Sequence, residues 1–486
     1  MRLAPPPSDA TAAADFVSSL LPQAKPDQPS RRSQWRLSVA LAALSLLIGI
    51  TTAVLYLMVH FGGITPLRLL ITSLVLTTPG LVLQAQILCW PLRLQLLVAA
   101  SWGLVLLLLV RLASIAFELG PVAVWIALHL GIPLVVLGIL FGIPRLRAIV
   151  PYLFPPIFLL AFLSSLGLQL LVGLVNVGSG GVLEVLLRMA GAGGTILVFI
   201  VLPVVLAMLP AHSLTSFLGR LYRAKAFSDL SYLYGASWFL ILLLQVIPGW
   251  NVKATDAWAW DVRPLVPLLA WLWIPVFFAA YSRFAQTTAL ADPPTLLVLR
   301  VFRRSSPVGW LFDNVVQRWR AIGPVLLISA ADLASRTIEP DELVSFLEGR
   351  LRDRYILDAD DLRRHLSEID AAPDHDGRYR VTDFCCYASS WKQTLDALLT
   401  RSNSVLMDLR GFSEQNQGCL YELRRISQAF HLTRVVLLAD AKTDRGTAEE
   451  VLHAYPNSPL VKWVSAPKKR LSRVNQLVDY LLAPGG

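Results

Sequence analysis

Residues 404–426 read SVLMDLRGFSEQNQGCLYELRRI. Ser404–Asp408 is an apolar run of strand length that stops at an aspartate. A polar stretch follows. Cys419, Leu423, Ile426 and Phe430 then recur at the spacing of one helix face. The reading is strand, loop, helix. Downstream the alternation continues, with strands at Val435–Leu438 and Val461–Val464 and helices at Thr447–His453 and Leu471–Leu482. Upstream, Thr295–Phe302 (TLLVLRVF) reads as a buried strand, and Phe312, Val315, Val316 and Trp319 mark a helix closed by Gly323 and Pro324. Val325–Ser329 is a second strand. Pro340 suits a first helical turn, and Leu362, Leu366 and Ile369 mark a further helix. Tyr379–Tyr387 reads as a strand, and Trp391, Leu395, Leu398 and Leu399 as a helix face. Such alternation predicts an α/β doubly wound domain with a mostly parallel sheet over 295–486.

The rest of the chain has a different composition. Of 486 residues, 55% are hydrophobic and 16% charged, and mean hydropathy is +0.57. Those values exclude a disordered chain and an ordinary soluble protein. Four cysteines without Cys-x-x-Cys spacing exclude a disulfide scaffold and a zinc ribbon. Residues 1–283 carry 17 basic and 8 acidic side chains, and residues 284–486 carry 26 and 25. The net charge of +10 therefore sits almost wholly in the apolar part. There it sets membrane orientation and is no sign of a nucleic-acid partner.

A bilayer span needs about 20 mostly apolar residues. Eight segments qualify, near 38–60, 67–89, 94–116, 121–143, 149–175, 193–211, 230–249 and 264–282. The expected organisation is a Pro/Ala-rich tail over 1–37, a multi-pass α-helical membrane region over 38–283, a linker over 284–294 and the α/β domain over 295–486. Arg31, Arg32, Arg36, Arg93, Arg145, Arg147, Arg220, Arg223 and Lys225 fall in alternate loops. The positive-inside rule then places both termini in the cytoplasm, and the chain in a cell (inner) membrane. Within the spans, Arg111 reads as snorkelling outward beside Glu118, and His60 and His129 read as isolated core or interface residues.

In doubly wound sheets, ligands bind beyond the carboxyl ends of the strands. Arg303 and Arg304 follow the first strand, Asp332 the second, Asp408 and Arg410 the Ser404 strand, and Asp440 the Val435 strand. These residues could hold a nucleotide cofactor or a cation, while each aspartate also suits helix capping or ion pairing. No glycine-rich phosphate loop is present. The remaining histidines lack metal spacing. Cys385 and Cys386 read as small hydrophobes, and Lys468-Lys469-Arg470 as a solvated basic run.

The order of a hydrophobic strand, a Ser-bearing loop and a Cys-Leu-Tyr-Glu-Leu helix start at 419–423 resembles the TIR-domain family, a flavodoxin-type α/β fold. The resemblance implies a catalytic glutamate for NAD cleavage at Glu422. The bland alternative for Glu422 is an exposed helix residue paired with Arg425 one turn on. The resemblance thus implies a membrane-anchored signalling or defence effector whose cytoplasmic domain binds or cleaves a nucleotide such as NAD. Its partners would be the lipid bilayer, that nucleotide and further copies of the chain. Two other readings stay open, a non-enzymatic protein with a partner-recruiting α/β domain and a transporter with a regulatory tail.

Overall fold

The computed structural model describes residues 29–88, 124–142, 153–165, 180–246, 263–286, 292–299, 314–330, 349–454, 459–465 and 471–482, with scattered positions between 97 and 111 and positions 167 and 345. Two compact units emerge, one built on Ser38–Tyr281 with Thr337–Arg350, the other on Ser282–Arg336 and Leu351–Gly486 with Met1–Leu37.

The first unit is helical. Its helices are α1 (Pro29–Phe61), α2 (Pro66–Ile87), α3 (Ile132–Gly142, entered through a π-helical turn at Ala127–Gly131), α4 (Gly180–Arg223), α5 (Asp229–Val246) and α6 (Trp273–Gln286). Among the described residues, five helices are long and apolar enough to cross a membrane: Trp35–Phe61, Pro66–Ile87, Val201–Arg223, Asp229–Val246 and Arg263–Arg283. They correspond to the first, second, sixth, seventh and eighth expected segments. The sixth is displaced toward the C-terminus, because α4 turns at Gly191 and stays helical to Arg223. The fourth and fifth segments carry shorter apolar helices, Val124–Ile139 and Leu153–Ser165, and the third lies largely outside the described residues. α5 is the most enclosed of these helices. Its Trp238 ring lies where a Cβ on Gly80 would stand, 1.9 Å from ring carbon, so only glycine permits this approach of α2 to α5. The Tyr234 hydroxyl, fully buried, donates to the Leu41 carbonyl (3.1 Å) and meets the Ser45 hydroxyl (2.7 Å). That satisfies polar groups which hydrocarbon could not.

The second unit is an α/β domain around a seven-stranded parallel sheet. The strands are β1 (Leu296–Leu299), β2 (Val325–Ala330), β3 (Tyr355–Ile356), β4 (Val381–Cys386), β5 (Ser404–Asp408), β6 (Arg434–Ala439) and β7 (Leu460–Ser465). Their order is β3-β4-β2-β1-β5-β6-β7. The central strands β1, β5 and β6 are almost wholly apolar on both sides, as a sheet covered on both faces requires. Leu297 and Leu299 face one core with Phe384, Met407 and Leu437, while Leu296 and Val298 face another with Trp319, Leu406 and Val436. The first core is covered by α7 (Ala359–Ser367), α8 (Trp391–Leu399), α9 (Gln417–Ser427) and α10 (Arg445–His453). The second is covered by α11 (Leu471–Leu482) and the helical residues 314–319. With β3 and β4 set aside, the order β2-β1-β5-β6-β7 is that of flavodoxin-like sheets.

Six of the strands, the helical residues 314–319 and the helices from α7 onward match the sequence expectation closely; β3 was not expected, and the helix expected at Pro340 lies outside the described residues. Phe430 is a correction. It lies past the end of α9 and is 62% exposed, because the helix stops at Ser427 and the chain turns there.

A soluble fragment spanning 284–486 should unfold cooperatively in urea. Phe384 is fully buried in β4, so Phe384→Ala should cost about 3–5 kcal/mol. Phe430→Ala should stay within about 0.5 kcal/mol of wild type.

Candidate functional site

The site lies at the carboxyl ends of β1, β5 and β6. β1 is the strand from which the sheet grows in opposite directions, since β2 and β5 are its two neighbours. At such a switch point the connecting loops part and leave a crevice. Leu299 of β1 is in register with Met407 of β5, one residue before Asp408.

Asp408 is buried and held by its own loop. Arg410 clasps it with Nε on Oδ1 and Nη2 on Oδ2, both at 2.8 Å. Two parallel charge-assisted bonds fix the guanidinium at the crevice edge. Gly411 follows with φ of 67°, a left-handed turn that any side chain would strain. The turn aims the Gly411 N–H at Asp440 Oδ1 (3.0 Å). Asp440 Oδ1 also accepts from the Lys442 N–H (3.0 Å) and the Thr443 hydroxyl (2.9 Å). Burial pulls the Asp440 carboxyl upward, but these bonds and the Arg410 charge outweigh it and hold the group below the usual carboxylate range. Asp440 therefore staples the β5–α9 loop to the β6–α10 loop. The Leu409 carbonyl accepts from Thr443 Oγ1 (3.0 Å) and the Phe412 carbonyl from the Asp444 N–H (2.9 Å), which complete the staple. Farther along, Asn416 Oδ1 accepts from the Ser413 N–H (2.8 Å). Asp408 and Asp440 cap no helix.

Glu422 stands at the middle of α9. Its side chain retains some contact with solvent, yet burial lifts its carboxyl to about 8. Among the described residues no hydrogen bond or ion pair reaches that carboxyl. The pairing with Arg425 is not formed, because Arg425 turns to α8. Its Nε donates to Asp396 Oδ1 (2.6 Å) and its Nη1 to Gln428 Oε1 (2.7 Å). The Cys419 thiol, one turn before Glu422, is pushed up to about 12 by burial and by the Glu422 and Asp408 carboxyls. It stays protonated and is no nucleophile. Both carboxyls therefore lie close enough to the Cys419 thiol to act on it.

Three of the seven candidate residues, Asp408, Arg410 and Asp440, thus meet around two neighbouring strand ends, and Glu422 is linked to Asp408 only through Cys419. Arg303, Arg304 and Asp332 lie outside the described residues. Gly411, Thr443 and Asn416, which fix the loop, went unremarked in the sequence. The signal for Gly411 was a glycine directly after a strand-end Asp-Leu-Arg. No three His, Cys, Asp or Glu side chains among the described residues are grouped to hold a metal ion. No family model, curated protein or solved structure matches the chain.

The raised Glu422 carboxyl has a measurable consequence. Between pH 4.5 and about 8 the folded chain keeps a proton there that the unfolded chain has released. Stability from this group therefore falls as pH rises through that window. Glu422→Gln removes the penalty. Its stability relative to wild type should grow steadily from pH 4.5 to 8, measured by urea unfolding of the fragment at each pH. A difference that does not change with pH would contradict the buried, protonated carboxyl.

Proposed function

We propose that the chain is a multi-pass membrane protein whose α/β domain, TIR-like in its β5–α9 segment, binds NAD in the β1–β5 crevice and cleaves its nicotinamide–ribose bond. The feature that supports the reading is Glu422, a carboxyl without a protein partner among the described residues, on the helix that follows β5 in a flavodoxin-like sheet. Such a carboxyl ionises readily when a cation arrives. The nicotinamide ring of NAD is cationic, and loss of that ring leaves an oxocarbenium-like ribose that a nearby carboxylate stabilises. Arg410 is held too firmly by Asp408 to follow a ligand, so it serves as a fixed edge. Arg303 and Arg304, just after β1, are the residues assigned to the diphosphate. The loop charges favour both termini in the cytoplasm of a cell (inner) membrane, where NAD is available. Self-association through the helical region is compatible with a signalling role.

Loss of NAD and release of nicotinamide by the full chain in detergent test this reading. Wild type should turn over, faster toward pH 8 as Glu422 ionises. Glu422→Gln should abolish turnover and leave much of the affinity, while Arg304→Ala should weaken binding. Absence of NAD loss and of nucleotide binding by wild type would favour the partner-recruiting reading. Turnover undiminished in Glu422→Gln would shift the role to Asp408 or Asp440. Reporter fusions at Gly178 and Ala257 should read outside, and those at Arg147, Lys225 and Gly486 inside.

A further inference from the structure

His60 and His129 are far apart in the sequence, yet both rings pack on Tyr56. The ring centroids lie 4.3 Å and 5.3 Å from that of the phenol. Tyr56 and His60 belong to α1. His129 sits within the π-helical turn Ala127–Gly131, and such turns gather at functional sites because the extra residue re-aims a side chain.

The hydrogen bonds fix which atoms keep a free electron pair. His129 Nδ1 is 2.9 Å from the Trp125 carbonyl oxygen, which can only accept. Nδ1 therefore carries the hydrogen of the neutral ring, and Nε2 carries a lone pair. His129 is 2% exposed, and its Nε2 is buried with no hydrogen-bond partner among the described residues. Gln245 of α5 is oriented in the same way. Its Nε2 donates to the carbonyls of Leu76 (3.2 Å) and His129 (3.4 Å), which leaves Oε1 buried without a partner among those residues. The Tyr56 hydroxyl accepts from Trp125 Nε1 (3.0 Å). Among the described residues the cluster thus offers electron pairs from imidazole, amide and phenol oxygen, and no carboxylate.

We propose that this cluster is a transition-metal site, with His129 Nε2 and the His60 imidazole as nitrogen ligands and Tyr56 Oη and Gln245 Oε1 as oxygen ligands. An imidazole whose other ring nitrogen is anchored on a backbone carbonyl is the usual arrangement at metal centres, since the anchor sets the tautomer and the ring direction. Imidazole selects zinc, copper, iron or nickel over magnesium and calcium, which need carboxylates. A buried cation needs compensating charge. A phenol that binds the metal would release its proton to bulk water as the ion enters, and the Trp125 N–H is placed to stabilise the resulting oxygen anion.

The full chain in detergent, stripped with chelator, is given one equivalent of Cu²⁺ and read by electron paramagnetic resonance and thermal unfolding. Wild type should show nitrogen-split copper signals and a raised unfolding midpoint. His129→Phe, which keeps a ring in place, should lose both, and Gln245→Leu should weaken copper binding. The other histidines are present in each variant, so surface binding cannot mimic the difference. The site is refuted if wild type shows no nitrogen-ligated copper, or if its signal is the same in His129→Phe. If His129→Phe does not fold, His60→Phe decides by the same criterion.

Discussion

A strand that is apolar on both faces must be covered on both faces and flanked on both edges. Leu296–Leu299 is such a strand, buried throughout and paired with β2 on one side and β5 on the other. Once β1 is central, the right-handed crossover rule allows the chain to fill one half of the sheet by one face and the other half by the opposite face. Helical residues 314–319 and α11 cover one side, and α8, α9 and α10 the other. The crevice at the ends of β1 and β5 follows from that division. The site is therefore a product of topology first and of its polar residues second.

The polar residues then divide their work. Asp408 with Arg410, and Asp440 with Gly411 and Thr443, satisfy one another and hold the loop in one conformation. Glu422 is the exception, a carboxyl left without such partners among the described residues. Preorganised surroundings with one unsatisfied group are what a binding or catalytic site requires. A carboxyl of merely structural value would gain from the Arg425 pairing that this fold declines in favour of Asp396.

Much of the α/β fold was legible in the sequence because strand and helix periods differ sharply. The limits of β5 and α11 could be read to the residue, since each carries a clear apolar pattern between polar breaks. β3 could not, because two residues are too few to show a period. The long interval between Ala330 and Ser404 reflects β3 and β4, which extend the sheet beyond β2. The strand-end aspartates were legible, but their partners were not. The Arg425–Asp396 contact joins two helices, and spacing along one helix cannot reveal it. The same holds in the helical unit. His60 and His129 read as isolated residues, and only the packing of α1 against the π-helical turn brings them to one phenol.

The central claim is that ligand enters between the ends of β1 and β5. Hydrogen–deuterium exchange on the full chain, with and without saturating NAD, tests it most directly. The account predicts new protection confined to the segment after β1, to 408–416 and to the opening turns of α9, with the β7 edge and α7 unchanged. Protection centred elsewhere on the domain, or none while NAD is bound, would contradict it.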